Sequence, residues 1–115
     1  MAALIRLATR EDARAIAELS RREIEHGLPW RWNPPRVLRA IRDRSTNVAV
    51  ALEQELLVGF GIMSYAEDSA HLNLLAVNPQ ARRCGVGTAL LVWLERVAGA
   101  AGIAQIELEA RQENA

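Results

Sequence analysis

A glycine-rich segment, Arg82-Arg83-Cys84-Gly85-Val86-Gly87-Thr88, combines residue types and spacing that could bind a ligand. It lies between an apolar run typical of a strand, Leu72 to Val77, and a run typical of a helix, Thr88 to Ala101. Such a turn brings several backbone N–H donors to a helix N-terminus, where phosphate oxygens bind. Gly85 and Gly87 have no Cβ, so the backbone could approach a phosphate closely. We therefore expect a phosphate-containing ligand here.

Composition excludes several classes of phosphate and metal site. All 14 basic residues are arginines, and without a lysine the chain can form neither a Walker A loop nor a Schiff base. The dinucleotide fingerprint needs a third glycine at the position of Leu90. The one cysteine, Cys84, cannot form an internal disulfide or a multi-cysteine zinc site, and no metal is expected. Zero net charge favours neither a nucleic-acid nor a membrane partner.

Length and hydropathy predict one domain over residues 1–115. Charged residues interrupt the apolar start of the chain, which does not resemble a signal peptide. No apolar run approaches the length of a membrane-spanning segment. We therefore expect a cytoplasmic protein.

Apolar periodicity predicts the element order β-α-α-β-β-β-α-β. The expected strands are Leu4 to Leu7, Asn47 to Leu52, Leu56 to Tyr65, Ala70 to Val77 and Gln105 to Ala110. Thr9, with Asp12 as its capping-box partner, begins the first helix, and Asn33-Pro34-Pro35 begins the second. Gly59 and Gly61, within the third strand, indicate close packing or a bulge. The fold class is α/β (α+β), with a mixed, mostly antiparallel sheet flanked by helices.

The longer context of the glycine segment carries a resemblance to a known family. Leu75-Ala76-Val77-x-Pro79, then Arg82-x-x-Gly85-x-Gly87, then Ala89-Leu90-Leu91 resembles motif A of the GNAT superfamily of N-acetyltransferases. The resemblance extends through Glu109-x-Arg111-x-x-Asn114 and weakly back to Leu4, nearly the whole chain. It implies a GNAT-like fold, acetyl-CoA as cosubstrate, and direct acetyl transfer to a primary amine within a ternary complex.

The resemblance also implies which residues contact acetyl-CoA. The backbone of the glycine segment would wrap the pyrophosphate, through Arg82, Arg83, Cys84, Gly85, Val86, Gly87 and Thr88. The backbone of Leu75, Ala76 and Val77 would pair with the pantetheine arm and polarise the thioester carbonyl. Asn114 matches a family asparagine that often touches the cofactor.

Two residues match positions that supply a general base in different GNAT branches. An alkylamine with a pKa of about 10.4 is almost fully protonated at neutral pH, so a base assists its attack. Glu109 matches the strand glutamate of ribosomal-protein N-terminal acetyltransferases. His71, four residues before Leu75, stands where histone-type members carry a glutamate, and histidine has a suitable pKa near 6.5. Alternatively, Glu109 belongs to the polar face of a strand and His71 is a solvated residue at a strand start.

The acceptor is a primary amine on a small molecule, peptide or protein whose identity the sequence does not name. Trp30 and Trp32 lie in the loop between the first two helices, which helps to form the acceptor site in the family. They either grip an acceptor or pack against the sheet. The second helix carries arginines that form a solvated face or contact an acidic acceptor: Arg36, Arg39, Arg42 and Arg44.

The chain departs from the family pattern at its end. GNAT domains usually continue after the position of Asn114 with a helix and two strands, and that helix commonly carries a tyrosine that protonates the leaving thiolate. We therefore expect an exposed last strand that a second copy covers as a homodimer, or a fragment of a longer product. Two other functions stay open: an inactive acetyl-CoA-binding remnant that acts as a sensor or interaction module, and a non-GNAT domain that holds another phosphate ligand.

Overall fold

The computed structural model describes residues 3–102 and 105–111, with the backbone alone for 82–84 and 105–111. It forms one sheet of five strands in the order β1-β2-β3-β4-β5. Neighbours from β1 to β4 are antiparallel, whereas β5 is parallel to β4. This confirms the predicted element order and the mixed sheet. The elements are β1 Leu4–Leu7, α1 Ala13–Glu23, α2 Pro34–Arg42, β2 Thr46–Glu53, β3 Leu56–Tyr65, β4 Ser69–Val77, α3 Val86–Ala100 and β5 Gln105–Arg111.

Helices cover both faces of the sheet because the strands carry apolar side chains on both. In β2, Val48 and Val50 belong to the core under α1 and α2, while Ala49 and Ala51 belong to the core under α3. The alternation follows from the two-residue period of a strand. Because β5 is parallel to β4, the connection between them must cross over one face of the sheet, and α3 forms this crossover.

Asp12 joins β1 to the start of α1. The Thr9 backbone N–H donates to Asp12 Oδ2 at 2.7 Å, which confirms the predicted capping interaction, and Arg6 Nη1 lies 2.8 Å from the same oxygen. Burial raises the pKa of Asp12, but hydrogen bonds from Arg6 and from the Thr9 backbone outweigh it and hold the pKa below its ordinary value. Ionised Asp12 therefore stabilises the folded state.

We expect Asp12→Asn to lower the free energy of unfolding by about 1 kcal/mol near neutral pH, the usual scale of a lost cap. Because the folded pKa is depressed, this stabilisation is present above the ordinary aspartate pKa of about 3.9 and is lost as pH falls through the folded value. Denaturant unfolding between neutral and acidic pH should show the two stability curves converging. Glu11→Gln, at an exposed pair with Arg10, is the control and should change little. A stability difference that does not change with pH would contradict this account.

Gly59 and Gly61 allow α3 to pack closely on β3. A Cβ on Gly61 would lie 2.8 Å from Leu94 Cδ1, and one on Gly59 would lie 3.1 Å from Leu90 Cδ1. Both leucines are fully buried. In the β2–β3 ladder Val58 is an extra residue beside Gly59, so Gly59 lies next to a bulge as well as in close packing, whereas close packing alone explains Gly61.

Gly61→Ala should lower the free energy of unfolding by about 1–3 kcal/mol, because Leu94 must leave its packed position. Gly99→Ala is the matched control. Gly99 lies in α3, and a Cβ added there would meet no atom of another element within 4 Å, so the same change should stabilise the helix by about 0.8–1.0 kcal/mol. Chemical denaturation of both variants measures the contrast. Equal or greater stability of Gly61→Ala than wild type would contradict the packing argument.

A bulge at Asn73 divides β4 into two halves. Ile62 pairs with Leu74 and Met63 pairs with Leu72, which leaves Asn73 as the extra residue. Before the bulge, Leu72 belongs to the core under α3; after it, Leu74 belongs to the core under α1 and α2. The side-chain alternation of β4 is therefore reversed at Asn73.

Candidate functional site

The junction between β4 and α3 is built around Gly85. This residue is the N-cap of α3 with φ 73° and ψ 20°, a left-handed conformation that favours glycine. It follows a 3₁₀ turn, Pro79–Cys84, that contains Arg82, Arg83 and Cys84. The predicted helix start at Thr88 is wrong by two residues, because the left-handed turn at Gly85 lets the helix begin at Val86. Gly87 and Thr88 thus belong to the first turn of α3.

The N-terminus of α3 presents backbone N–H donors that receive no side-chain cap from Gly85. Ala89 N–H donates to Gly85 O at 3.0 Å, so the N–H groups of Val86, Gly87 and Thr88 precede the first intrahelical bond. Gly85 has no side chain to cap them, and its Cβ position is open, with no atom within 4 Å. Since α3 is 15 residues long, its dipole adds positive potential here. The arrangement can bind an anion such as a phosphate.

The second half of β4 precedes this helix terminus, with the turn Pro79–Cys84 between them. The described β4–β5 ladder runs from Ser69 opposite Gln105 to Leu74 opposite Arg111. Beyond it, Leu75, Ala76 and Val77 continue the strand towards Gly85 while pairing with β3. Asn78 N–H donates to Val58 O on β3 at 2.7 Å. Successive residues of a strand turn their N–H and C=O groups to opposite sides, so Leu75, three residues earlier, turns its groups away from β3 and towards β5. An extended amide chain could pair with the peptide groups of Leu75.

The two predicted bases lie near the bulge. His71, half-buried, stands opposite Ser64 on β3 and Glu107 on β5. Glu109 lies between Leu108, opposite Leu72, and Arg111, opposite Leu74, and is therefore level with Asn73. The backbone thus brings both positions to the same region of the sheet. Asn114 lies outside the described residues.

Glu25 is a functional candidate that sequence reasoning missed. Its carboxylate is buried, with 7% of the residue exposed, at the start of the loop from α1 to α2. It accepts hydrogen bonds from Ser20 Oγ at 2.8 Å, from Arg31 N–H at 2.6 Å and from Trp32 N–H at 3.2 Å. A negative charge just after a helix C-terminus is unfavourable because that end of the helix dipole is negative. The position of Glu25 was therefore the one sign in the sequence that other groups stabilise its carboxylate.

The two loop tryptophans pack against the core under α1 and α2, which was one of the two expected roles. Trp30 Nε1 donates to Ala17 O at 3.1 Å, and the Arg21 guanidinium lies 4.9 Å from its ring centroid. The Arg36 guanidinium lies 3.9 Å from the Trp32 ring centroid. Both indoles are held in place, and Trp32 also lines the clefts described next.

Two clefts open on either side of Trp32 and meet at Asn73. The first, the bulge cleft, has a volume of about 360 Å³ and is lined by Ile24, Glu25, Leu28, Pro29, Arg31, Trp32, Asn73 and Leu74. The second, the arginine cleft, has a volume of about 340 Å³ and is lined by Trp32, Arg36, Arg39, Ala40, Asp43, Thr46, Ile62 and Asn73. The Asn73 amide donates to Ser64 Oγ at 3.1 Å. The loop that Glu25 organises thus faces the bulge of β4 across a space large enough for a small molecule.

Two classes of feature are missing from the part of the chain that the structure describes. Within it, no helix combines the length and apolar character needed to cross a membrane. Nor do its His, Cys, Asp and Glu side chains form a group of three or more that could hold a metal ion.

Comparison with known proteins agrees with this architecture. The model of the acetyltransferase (GNAT) family matches residues 6–115, which confirms the resemblance inferred from the glycine segment. Among solved structures, PaiA N-acetyltransferase from Thermoplasma acidophilum in complex with coenzyme A superposes with a TM-score of 0.85 at 21% identity, covering 94% of this chain and 79% of that one. No curated protein matched.

Two further solved structures share the fold. Ribosomal-protein-alanine N-acetyltransferase from Brucella melitensis biovar Abortus 2308 has a TM-score of 0.81 at 21% identity, covering 97% of this chain and 82% of that one. Ard1 from Thermoplasma volcanium has a TM-score of 0.82 at 25% identity, covering 99% of this chain and 75% of that one. The predicted fold class is confirmed by these similarities.

Proposed function

We propose that this chain, which belongs to the acetyltransferase (GNAT) family, binds acetyl-CoA along the second half of β4 and transfers its acetyl group to a primary amine. One observation carries the proposal: beyond Leu74, where the described β4–β5 ladder ends, β4 is followed by the turn Pro79–Cys84 and then by the N-terminus of α3. A ligand with an extended amide chain joined to a pyrophosphate matches that sequence of donors and acceptors.

The residues of the junction suit acetyl-CoA. The N–H groups of Val86, Gly87 and Thr88 would receive the pyrophosphate, at a position where Gly85 leaves open space. Leu75 to Val77 would pair with the pantetheine arm, and the 3₁₀ turn that holds Arg82, Arg83 and Cys84 would border the pyrophosphate. The contact of Asn114 with the cofactor is proposed on the family motif alone. The coenzyme A complex of PaiA, a protein of the same fold, supports this choice of ligand.

The acceptor amine would enter the bulge cleft. Attack on the thioester carbonyl forms a C–N bond and breaks the C–S bond; the amine loses a proton and the sulfur needs one. Glu109 or His71 would take the amine proton, directly or through a water, because both positions lie level with or next to the bulge. Backbone N–H groups of β4 near Leu75 would stabilise the developing charge on the carbonyl oxygen.

Release of free coenzyme A thiol tests this function directly. The wild-type chain is incubated with acetyl-CoA and a panel of small amines, amino acids and peptides. Amine-dependent thiol release is expected, and either Glu109→Gln or His71→Gln should lower kcat by about 10²–10⁴-fold, with a changed pH–rate profile. Tight acetyl-CoA binding without thiol release for any amine would contradict the proposed transfer while leaving the binding site intact.

A further inference from the structure

We propose that the arginine cleft binds a single carboxylate of the acceptor, so that the preferred acceptor is an amine that also carries a carboxylate. The proposal rests on the proposed function, because it specifies the substrate class of the same site. Arg36 and Arg39 would receive the carboxylate, and the bulge cleft would receive the amine.

The Arg36 guanidinium is positioned for such a contact by stacking on Trp32. Its guanidinium lies 3.9 Å from the Trp32 ring centroid, and its backbone N–H donates to Asn33 Oδ1 at 3.1 Å in the first turn of α2. Stacking on an indole leaves the N–H edge of a guanidinium available, and that edge matches a carboxylate in a bidentate contact. Arg39 lies three residues further along the same helix, which places it beside Arg36 on the lining of the cleft.

The charge of the cleft favours a monoanion. Its lining contains two arginines and one carboxylate, Asp43, whose Oδ1 accepts from the Ser45 backbone N–H at 2.8 Å. Among the described side chains, the ion pairs Arg6–Asp12 and Arg10–Glu11 lie outside this cleft and include neither Arg36 nor Arg39. The net charge of the lining is therefore positive by one, and a single carboxylate would neutralise it.

The arginine cleft shares two lining residues with the bulge cleft, where the amine would react. Trp32 and Asn73 line both clefts, and Asn73 is the bulge residue of β4. A ligand could place its amine in the bulge cleft and its carboxylate against Arg36 in the arginine cleft. The part of the ligand between these two groups would then contact Trp32 and Asn73. The loop held by Glu25 would thereby set the distance between the two groups.

Binding measured by calorimetry, with coenzyme A at saturation, tests the proposal without requiring turnover. Two matched pairs are compared: β-alanine with β-alaninamide, and the C-terminally amidated dipeptides Gly-Asp and Gly-Asn. At least one acid should bind about tenfold more tightly than its amide, the scale of a charge-assisted hydrogen bond. A preference in the first pair identifies a free amino acid as the source of the carboxylate, and a preference in the second identifies a peptide.

Substitution of single arginines tests whether the preference for the acid depends on Arg36. Arg36→Gln should abolish the preference for the acid and leave the affinity for the amide unchanged. Arg42→Gln is the matched control, because Arg42 belongs to α2 but does not line the cleft. Equal affinity for acid and amide in both pairs, no binding of either, or an equal loss in both variants would overturn the proposal. Failure of the proposed function is a separate result: acids bind selectively, but no coenzyme A thiol is released.

Discussion

Glu25→Ala is expected to lower the free energy of unfolding by about 3 kcal/mol. The substitution removes a buried carboxylate that accepts from Ser20 Oγ and from the N–H groups of Arg31 and Trp32. Hydrogen bonds to a charged group contribute about 1.5–3 kcal/mol each and are not additive, and the donors left behind lose their partner in a buried site. For a domain of this size the loss corresponds to a decrease in Tm of about 10 °C, measured by thermal unfolding.

Two other variants separate the carboxylate's role from that of simple volume. Glu25→Gln keeps the shape and one carbonyl acceptor, so its loss of stability should be smaller than that of alanine. Ser20→Ala removes one of the donors and should cost about 1.5 kcal/mol, the lower end of the range for hydrogen bonds to a charged group. The loop from α1 to α2 should also lose order in Glu25→Ala and, if it contacts the amine as proposed, the KM for the amine should rise more than kcat falls. A stability of Glu25→Ala within about 0.5 kcal/mol of wild type would show that the loop does not depend on this carboxylate.

Gly85→Ala is expected to weaken acetyl-CoA binding by about tenfold or more. Gly85 has φ 73°, and a side chain there costs about 1–2 kcal/mol of backbone strain. Relief of that strain moves the N-terminus of α3, so its N–H groups no longer converge on the pyrophosphate. Calorimetric titration with acetyl-CoA measures the loss of affinity.

Gly102→Ala is the matched control for this prediction. Gly102 has φ 86° just after the C-terminal end of α3, and its Cβ position is equally open. Both variants should therefore lose similar stability, whereas only Gly85→Ala should lose affinity. Equal affinity of the two variants for acetyl-CoA would place the phosphates away from the α3 N-terminus.

The elements of the fold could be predicted because their local signals agree. Alternating apolar residues marked β5, and Asn33-Pro34-Pro35 marked the start of α2, where Asn33 Oδ1 indeed accepts from Arg36 N–H. The motif around Gly85 then indicated the family, which implied a GNAT-like fold. The residue contacts with acetyl-CoA, the roles of His71 and Glu109, and the homodimer over β5 stay predictions.

The clefts could not be predicted because they depend on long-range geometry. The bulge at Asn73 follows from the register of β3 against β4, and an apolar pair such as Leu74-Leu75 within a strand is only a weak sign of it. Glu25 obtains its donors from Ser20 on one side and from the Arg31–Trp32 segment on the other, which meet only in the folded loop. A tertiary arrangement of this kind leaves no periodic pattern in a sequence.

Thermal unfolding of this chain with and without acetyl-CoA tests the central claim most directly. At one hundred times its Kd, a ligand that binds the folded state adds about 2.7 kcal/mol, which corresponds to an increase in Tm of about 10 °C. The β4–α3 site predicts such an increase with acetyl-CoA and a much smaller one with ATP at the same concentration. The increase with acetyl-CoA should fall to about half or less in Gly85→Ala and stay unchanged in Gly102→Ala. A sharp transition that acetyl-CoA does not shift, or that ATP shifts equally, would contradict the assignment of this site to acetyl-CoA.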